Sequence, residues 1–150
     1  MSLIKPSRLR RTVSIRSLVR ETRLSIDNLI RPIFVTHRNK CLEIESMPGQ
    51  FHYPLDEIEK TIEGSIKLGI NGIILFGIPS SKDEKGTDTI REDGIIQKAV
   101  KIIRRSFPEL IIVTDVCFCQ YTTHGHCGIL NHNGDIDKIS SLKQLQKQAL

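Results

Sequence analysis

Three of the four cysteines in this 150-residue chain fall within eleven residues, in the run Asp115-Val116-Cys117-Phe118-Cys119-Gln120-Tyr121-Thr122-Thr123-His124-Gly125-His126-Cys127-Gly128. On an extended segment Cys117 and Cys119 point to the same side, because side chains alternate with period 2. A loop containing Gly125 and Gly128 can then fold Cys127 back toward them. The spacing C-x-C-x7-C is not a common zinc-finger pattern, and no fourth cysteine is near enough to close a tetrahedral structural site. Three thiolates with one open position are the form of a catalytic zinc site, and soft sulfur ligands select zinc over magnesium or calcium. Three reduced cysteines that merely pack in a cytosolic core, or a disulfide pair, are the other readings of the same density.

The neighbours of the cluster carry two readings each. His124 and His126 either ligate or supply hydrogen bonds behind three thiolates, the commoner part for such a histidine. Asp115, at the end of an apolar run, is either a substrate-binding carboxylate or a cap on the following turn. Cys41 stands alone and reads as structural. Charge restricts the chemistry: Zn2+ held by three thiolates is left with a net negative charge, whereas three histidines leave both positive charges in place. The thiolate site is therefore the weaker acidifier of bound water, and it suits orienting and polarising an amine or carbonyl.

The elements that must position this cluster alternate along the chain. Leu29–Val35 (LIRPIFV) is a short apolar run with β-branched members, and its Pro32 suggests a strand start or edge. Met47-Pro48-Gly49 signals a turn in the loop that follows. From Asp56 to Leu68, Ile58, Ile62 and Ile66 recur every four residues, with acids early and Lys67 late, which predicts a helix that Gly69 ends. Gly72–Gly77 (GIILFG) reads as a strand buried on both faces, and 79–94 as a polar surface loop. Ile95, Ile96, Ala99, Val100, Ile103 and Phe107 mark a second helix stopped by Pro108. Leu110–Val116 is a third strand, running straight into Asp115, and Ser141–Leu150 begins a last helix.

Strand, helix, strand, helix, strand, helix is the pattern of βαβ units on a parallel sheet. A doubly wound nucleotide fold wants a glycine-rich turn after its first strand, and Val35-Thr36-His37-Arg38-Asn39 offers none. A (β/α)8 barrel puts its chemistry at the C-terminal ends of its strands, where the cysteines fall, but needs roughly 200 residues to close.

Composition narrows the partners. With 39% hydrophobic and 26% charged residues, the chain is neither disordered nor fibrous. No apolar run approaches the ~20 residues of a membrane span, and the N-terminus lacks the apolar core of a secretory signal; the chain reads as cytoplasmic with no membrane partner. The formal charge of +5 is local: residues 1–23 hold seven basic side chains against Glu21 alone, leaving 15 basic and 16 acidic residues elsewhere. A basic arm can bind nucleic acid, yet Phe34 is the only aromatic side chain before residue 50, so base stacking has little to work with. The arm is read as a subunit contact or a solvated face, with no nucleic-acid partner.

The run DVCFCQYTTHGHCGIL, Asp115–Leu130, resembles the zinc-binding segment of the porphobilinogen synthase family, also called delta-aminolevulinic acid dehydratase. The rest of the chain is similar to the same family in order: Arg8-Leu9-Arg10-Arg11, Leu29–Val35, Ser46-Met47-Pro48-Gly49, Ile73–Gly77, Lys82-Asp83 and Phe107-Pro108-Glu109-Leu110. The resemblance implies a (β/α)8 barrel that makes porphobilinogen from two molecules of 5-aminolevulinate, on the route to haem and other tetrapyrroles. It implies that Cys117, Cys119 and Cys127 ligate zinc, that Asp115 lines the substrate site, and that His126 takes part in a second metal site or in the shell around the first. It further implies homo-oligomers, commonly octamers, assembled through the arm.

By the same resemblance the chain divides into an arm, residues 1–23, and the first half of the barrel, residues 24–150. Three strands, two helices and the start of another are expected, ending before the strands that carry the family's two Schiff-base lysines. Lys138, Lys143 and Lys147 do not sit in the matching motifs. The pattern also departs at Lys138-Ile139, where the family usually has Asn-Asp before its third helix. A reading from another class is a non-catalytic zinc-binding module that joins partners through its basic arm.

Overall fold

A computed structural model describes residues 6–149. Lys5 of the basic arm and Leu150, the expected last helical residue, lie outside them. The arm opens with a 3-10 turn at Pro6–Arg10, then a short helix, α1 (Val13–Leu18), whose first turn is capped by Thr12 Oγ1 accepting from the Ile15 amide at 3.1 Å. Between Ser7 and Ile30 only Ile15 is even half-buried.

The body is a five-stranded sheet: β1 (Ile30–Thr36), β2 (Leu42–Glu43), β3 (Phe51–Pro54), β4 (Gly72–Ile78) and β5 (Ile111–Thr114), in the order β2-β3-β1-β4-β5. β1 runs parallel to β4 along its whole length, from Ile30↔Gly72 to Thr36↔Ile78. β5 is parallel to β4, β3 is parallel to β1, and β2 is antiparallel to β3, so the sheet is mixed. Two helices, α2 (Ile58–Lys67) and α3 (Ile95–Ser106), connect the parallel strands.

The expected periodicities bury most of what they should, except that Ile66 of α2 is exposed and that β4, expected to be buried on both faces, has Ile74 and Phe76 only half-buried because no helix among the described residues covers that face. Ile58 and Ile62 of α2, and Ile95, Ala99 and Ile103 of α3, meet Ile33, Val35, Ile73 and Leu75 on one face of the sheet, with Leu110 completing the core. Arg31, on that same face, spans the layers: its guanidinium donates to Ser65 Oγ at 2.8 Å, to the Thr61 carbonyl at 3.2 Å and to the Tyr53 hydroxyl at 3.4 Å. The opposite face holds Phe34 and Phe76 at paired positions, their rings stacked 5.3 Å apart and only half-buried. Gly69 ends α2 at φ +84°, a conformation suited to glycine.

The expectation of three strands is corrected by the β2–β3 hairpin around Met47-Pro48-Gly49. With two and four residues, these strands are too short to show a period. β1 is also central rather than an edge. Pro32 is tolerated because β3 pairs only with Phe34–Thr36, leaving the main chain at Pro32 unpaired on that side. The third strand stops at Thr114, two residues before the predicted end, where the chain departs through a weak bond from the Asp115 amide to the Leu75 carbonyl, 3.4 Å.

The segment 79–94 is not wholly a surface loop, since it contains a 3-10 turn, Thr87–Ile90, with Gly86 and Thr89 buried. The last helix, α4 (Lys138–Ala149), begins three residues earlier than predicted. Asp137 starts it, its carboxylate accepting from the Ile139 and Ser140 amides at 3.0 and 3.2 Å. The change at Lys138-Ile139 therefore leaves the helix start with a cap.

Candidate metal centre

Past β5 the chain does not stay extended. Phe118 is fully buried, and its carbonyl accepts from the Tyr121 and Thr122 amides at 2.7 and 3.0 Å, closing a turn over 118–122. Cys117 and Cys119 are therefore brought together by that turn rather than by strand alternation. Their sulfurs lie 3.2 Å apart, and Cys127 Sγ lies 3.3 Å from Cys117 Sγ. All three ligand atoms fall within 4.8 Å of one another.

The disulfide reading does not survive this geometry, because a disulfide bond is about 2.05 Å long and all four cysteines are free thiols. Simple packing in a core fails as well, since Cys127 is exposed and the other two are half-buried. Tetrahedral zinc with bonds of about 2.3 Å separates its sulfurs by roughly 3.8 Å, a small outward move from the positions here. The cluster fits a thiophilic metal. No other group of three metal-ligating side chains comes together among the described residues.

The protons are distributed unevenly over the three sulfurs. Burial raises the Cys117 thiol, but hydrogen bonds from the Cys119 amide and from the Cys119 and Cys127 thiols outweigh it and bring it below its ordinary value. Cys119 is pushed up to about 12 by sharing its hydrogen with Cys117, with desolvation adding to the effect. Cys127 is raised by its bond to Cys117. Of the three sulfurs, Cys117 is thus the one whose surroundings favour loss of its hydrogen, while Cys119 and Cys127 hold theirs more firmly than a free thiol does.

Several elements hold the cluster. Asp83 pairs with the site segment by main-chain bonds, its amide to the Tyr121 carbonyl at 3.2 Å and its carbonyl to the Thr123 amide at 3.1 Å. The Asp83 side chain closes its own turn by accepting from the Lys85 and Thr87 amides at 2.8 and 3.2 Å. From α4, Gln148 Nε2 donates to the carbonyls of Asp115 and Cys117, both at 3.4 Å. Gly128 packs on α4, where a Cβ would meet Ser141 Oγ at 2.8 Å.

Asp115 is half-buried one residue beyond β5; burial pushes the Tyr121 phenol up, with the charges of Asp88 and Asp115 adding to it. No amide of the following turn donates to its carboxylate among the described residues, which leaves that group free. The exposed His126 ring stacks on His124 at a centroid distance of 5.5 Å. Cys41, just before β2, lies outside the cluster. Lys138, Lys143 and Lys147 are exposed on α4. Sequence reasoning missed Gln148, whose contacts span 31 and 33 residues and leave no local signal, whereas the Asp83-to-Thr87 turn has the usual aspartate signature.

No helix among the described residues is long and apolar enough to cross a membrane. The family model for delta-aminolevulinic acid dehydratase matches residues 3–150. A dehydratase of that name from Ruminiclostridium josui is 43% identical over 147 residues, covering 97% of this chain and 71% of the relative. Its counterpart from Archaeoglobus fulgidus is 45% identical over 148 residues, covering 98% of this chain and 45% of the relative. The chain thus spans about half the length of that protein. Among solved structures, the Toxoplasma gondii ME49 enzyme in complex with its reaction product porphobilinogen superimposes with a TM-score of 0.86 at 28% identity, over 99% of this chain and 43% of that one. With the match running essentially end to end and three thiols meeting past a parallel strand, this chain belongs to the delta-aminolevulinic acid dehydratase family.

Proposed function

We propose that the chain supplies the N-terminal part of a zinc-dependent porphobilinogen synthase, a hydro-lyase that condenses two molecules of 5-aminolevulinate to porphobilinogen in tetrapyrrole and haem biosynthesis. The observation that carries this reading is the meeting of Cys117, Cys119 and Cys127 at the C-terminal end of β5, the end at which barrel enzymes place their chemistry. The sheet β1-β4-β5 with α2 and α3 is read as the opening portion of a (β/α)8 barrel, residues 24–150.

Zinc bound by the three thiolates supplies a Lewis acid of low net charge, suited to orienting an amine or carbonyl. The protein's part is to hold Cys117 and Cys119 on either side of the buried Phe118 and Cys127 on a glycine-flanked loop, the three thiols that would hold the metal. The Asp115 carboxylate, unengaged by its own turn, takes the ammonium end of 5-aminolevulinate. His126, exposed beside Cys127, belongs to the surroundings of the metal or to a second one. The thiol chemistry suits a reducing compartment and hence the cytoplasm. The arm, residues 1–23, packs on another subunit of a homo-oligomer; Leu9, Val13, Leu18 and Val19 along it are all exposed.

A chimera tests the reading. This chain replaces the matching part of the Archaeoglobus fulgidus relative, and porphobilinogen formation is assayed with zinc and thiol. Activity is expected, with loss of at least 100-fold in Cys119→Ala, roughly the scale of a lost ligand. A folded chimera that forms no porphobilinogen refutes the proposal.

A further inference from the structure

We propose that His124 is the positioning residue that sets Cys127 for metal capture, latching the Cys127 loop to the Glu84 loop through both ring nitrogens. The inference rests on Cys117, Cys119 and Cys127 being the metal ligands. Nδ1 of His124 lies 3.1 Å from the His126 amide, which can only donate, so Nδ1 accepts. The ring hydrogen is therefore on Nε2, which donates to the Glu84 carbonyl at 3.1 Å. With both nitrogens engaged, neither is left for a metal.

Cys127 needs such a latch. Cys117 and Cys119 flank the buried Phe118, where a turn begins, but Cys127 is exposed, and Gly125 at φ +72° stands two residues before it and Gly128 directly after it. Two side chains of its own loop hold the peptide groups of the preceding residue: Thr122 Oγ1 donates to the His126 carbonyl at 3.2 Å, and His124 accepts the His126 N–H. Of the two, only His124 ties the loop to a distant segment, Glu84, forty residues away in sequence. That segment is fixed through Asp83, which pairs with Tyr121 and Thr123. The latch thus refers Cys127 to the same frame that carries Cys117 and Cys119.

The test is cobalt(II) titration of the full chain under reducing conditions, reading the sulfur-to-metal charge-transfer absorbance, whose intensity follows the number of bound thiolates. His124→Leu removes both bonds, His124→Ser serves if the leucine variant does not give folded protein, and His124→Asn restores an acceptor where Nδ1 stood. Far-UV circular dichroism checks that each is folded. The expected result is cobalt binding at least tenfold weaker in His124→Leu or His124→Ser, with a spectrum matching that of Cys127→Ala, and only partial recovery in His124→Asn, which restores the bond to His126 but not the one to Glu84. Full recovery in His124→Asn overturns the tie to Glu84. Unchanged affinity and spectrum in the folded leucine or serine variant overturn the role of His124 while leaving the metal site intact. Equal losses in the serine and asparagine variants also overturn it. A parent chain without a three-thiolate spectrum refutes the ligand assignment instead.

Discussion

The hydroxyl of Tyr121 occupies the space that a side chain at Gly77 would need: a Cβ built there falls 2.1 Å from it. Ile95 and Ile96 of α3 close the same space, at 2.8 and 2.9 Å. The absence of a side chain near the end of β4 is therefore what allows the cysteine segment to lie against the sheet. Gly77→Ala is expected to cost about 1–3 kcal/mol by overpacking, measured by denaturant unfolding. In the double variant with Tyr121→Phe, part of that loss should return, since the nearest obstructing atom is gone while the isoleucines remain. Additive losses in the double variant would contradict this account.

Metal capture should be opposed by acid. Cys119, pushed up to about 12, and Cys127, also raised, carry their hydrogens at neutral pH in the metal-free chain. Binding must release about two protons per metal, with a further fraction from Cys117. Affinity therefore rises with pH through the neutral range and falls on acidification. Zinc titrations in weakly buffered solution, read with a pH indicator, measure the release directly. Cys119→Ala should bind far more weakly and release fewer protons, and equal release in that variant would remove Cys119 from the ligand set.

The 150 residues alone should not condense 5-aminolevulinate. A lysine becomes a useful nucleophile near neutral pH only where burial or a neighbouring cation disfavours its charge, and Lys138, Lys143 and Lys147 are exposed on α4. Borohydride reduction in the presence of 5-aminolevulinate and zinc, followed by mass spectrometry, should find no lysine adduct. An adduct on any of these three would place the covalent chemistry in this chain.

The arm should matter for assembly more than for folding. Since the side chains of residues 7–23 are exposed apart from the half-buried Ile15, deleting residues 1–23 should change the unfolding free energy little, by less than about 0.5 kcal/mol. In the chimera described above, the same deletion should shift the sedimenting species to a smaller one. An unchanged sedimentation profile would assign the arm another role.

How legible the fold was depends on length and locality. The four-residue recurrence of Ile58, Ile62 and Ile66, the run Ile73–Gly77 and the spaced apolar residues of α3 repeat often enough to reveal their elements, and most of them pack where the pattern implies, Ile66 and the second face of β4 excepted. The β2–β3 hairpin escaped because two and four residues show no period. The cysteine cluster was legible as a composition, but the turn that makes it was not. That turn depends on burial of Phe118, and an isolated phenylalanine in sequence does not announce its depth. His124 to Glu84 and Gln148 to Cys117 are contacts between side chain and carbonyl. A carbonyl belongs to every residue, so no residue type marks the partner.

The hairpin also dictates how the sheet can be closed. β3 takes up the outer side of β1 only from Phe34 to Thr36, so a further strand arriving at that side finds just Ile30–Ile33. Four residues give a contact about 13 Å long, and Pro32 within it has no N–H to offer. The opposite margin, β5, is open along its length. Any polypeptide that completes this sheet into a ring therefore meets four residues at either margin, a proline-free seam at β5, Ile111–Thr114, and a donor-poor one at β1. Assembly should begin at the former and finish at the latter.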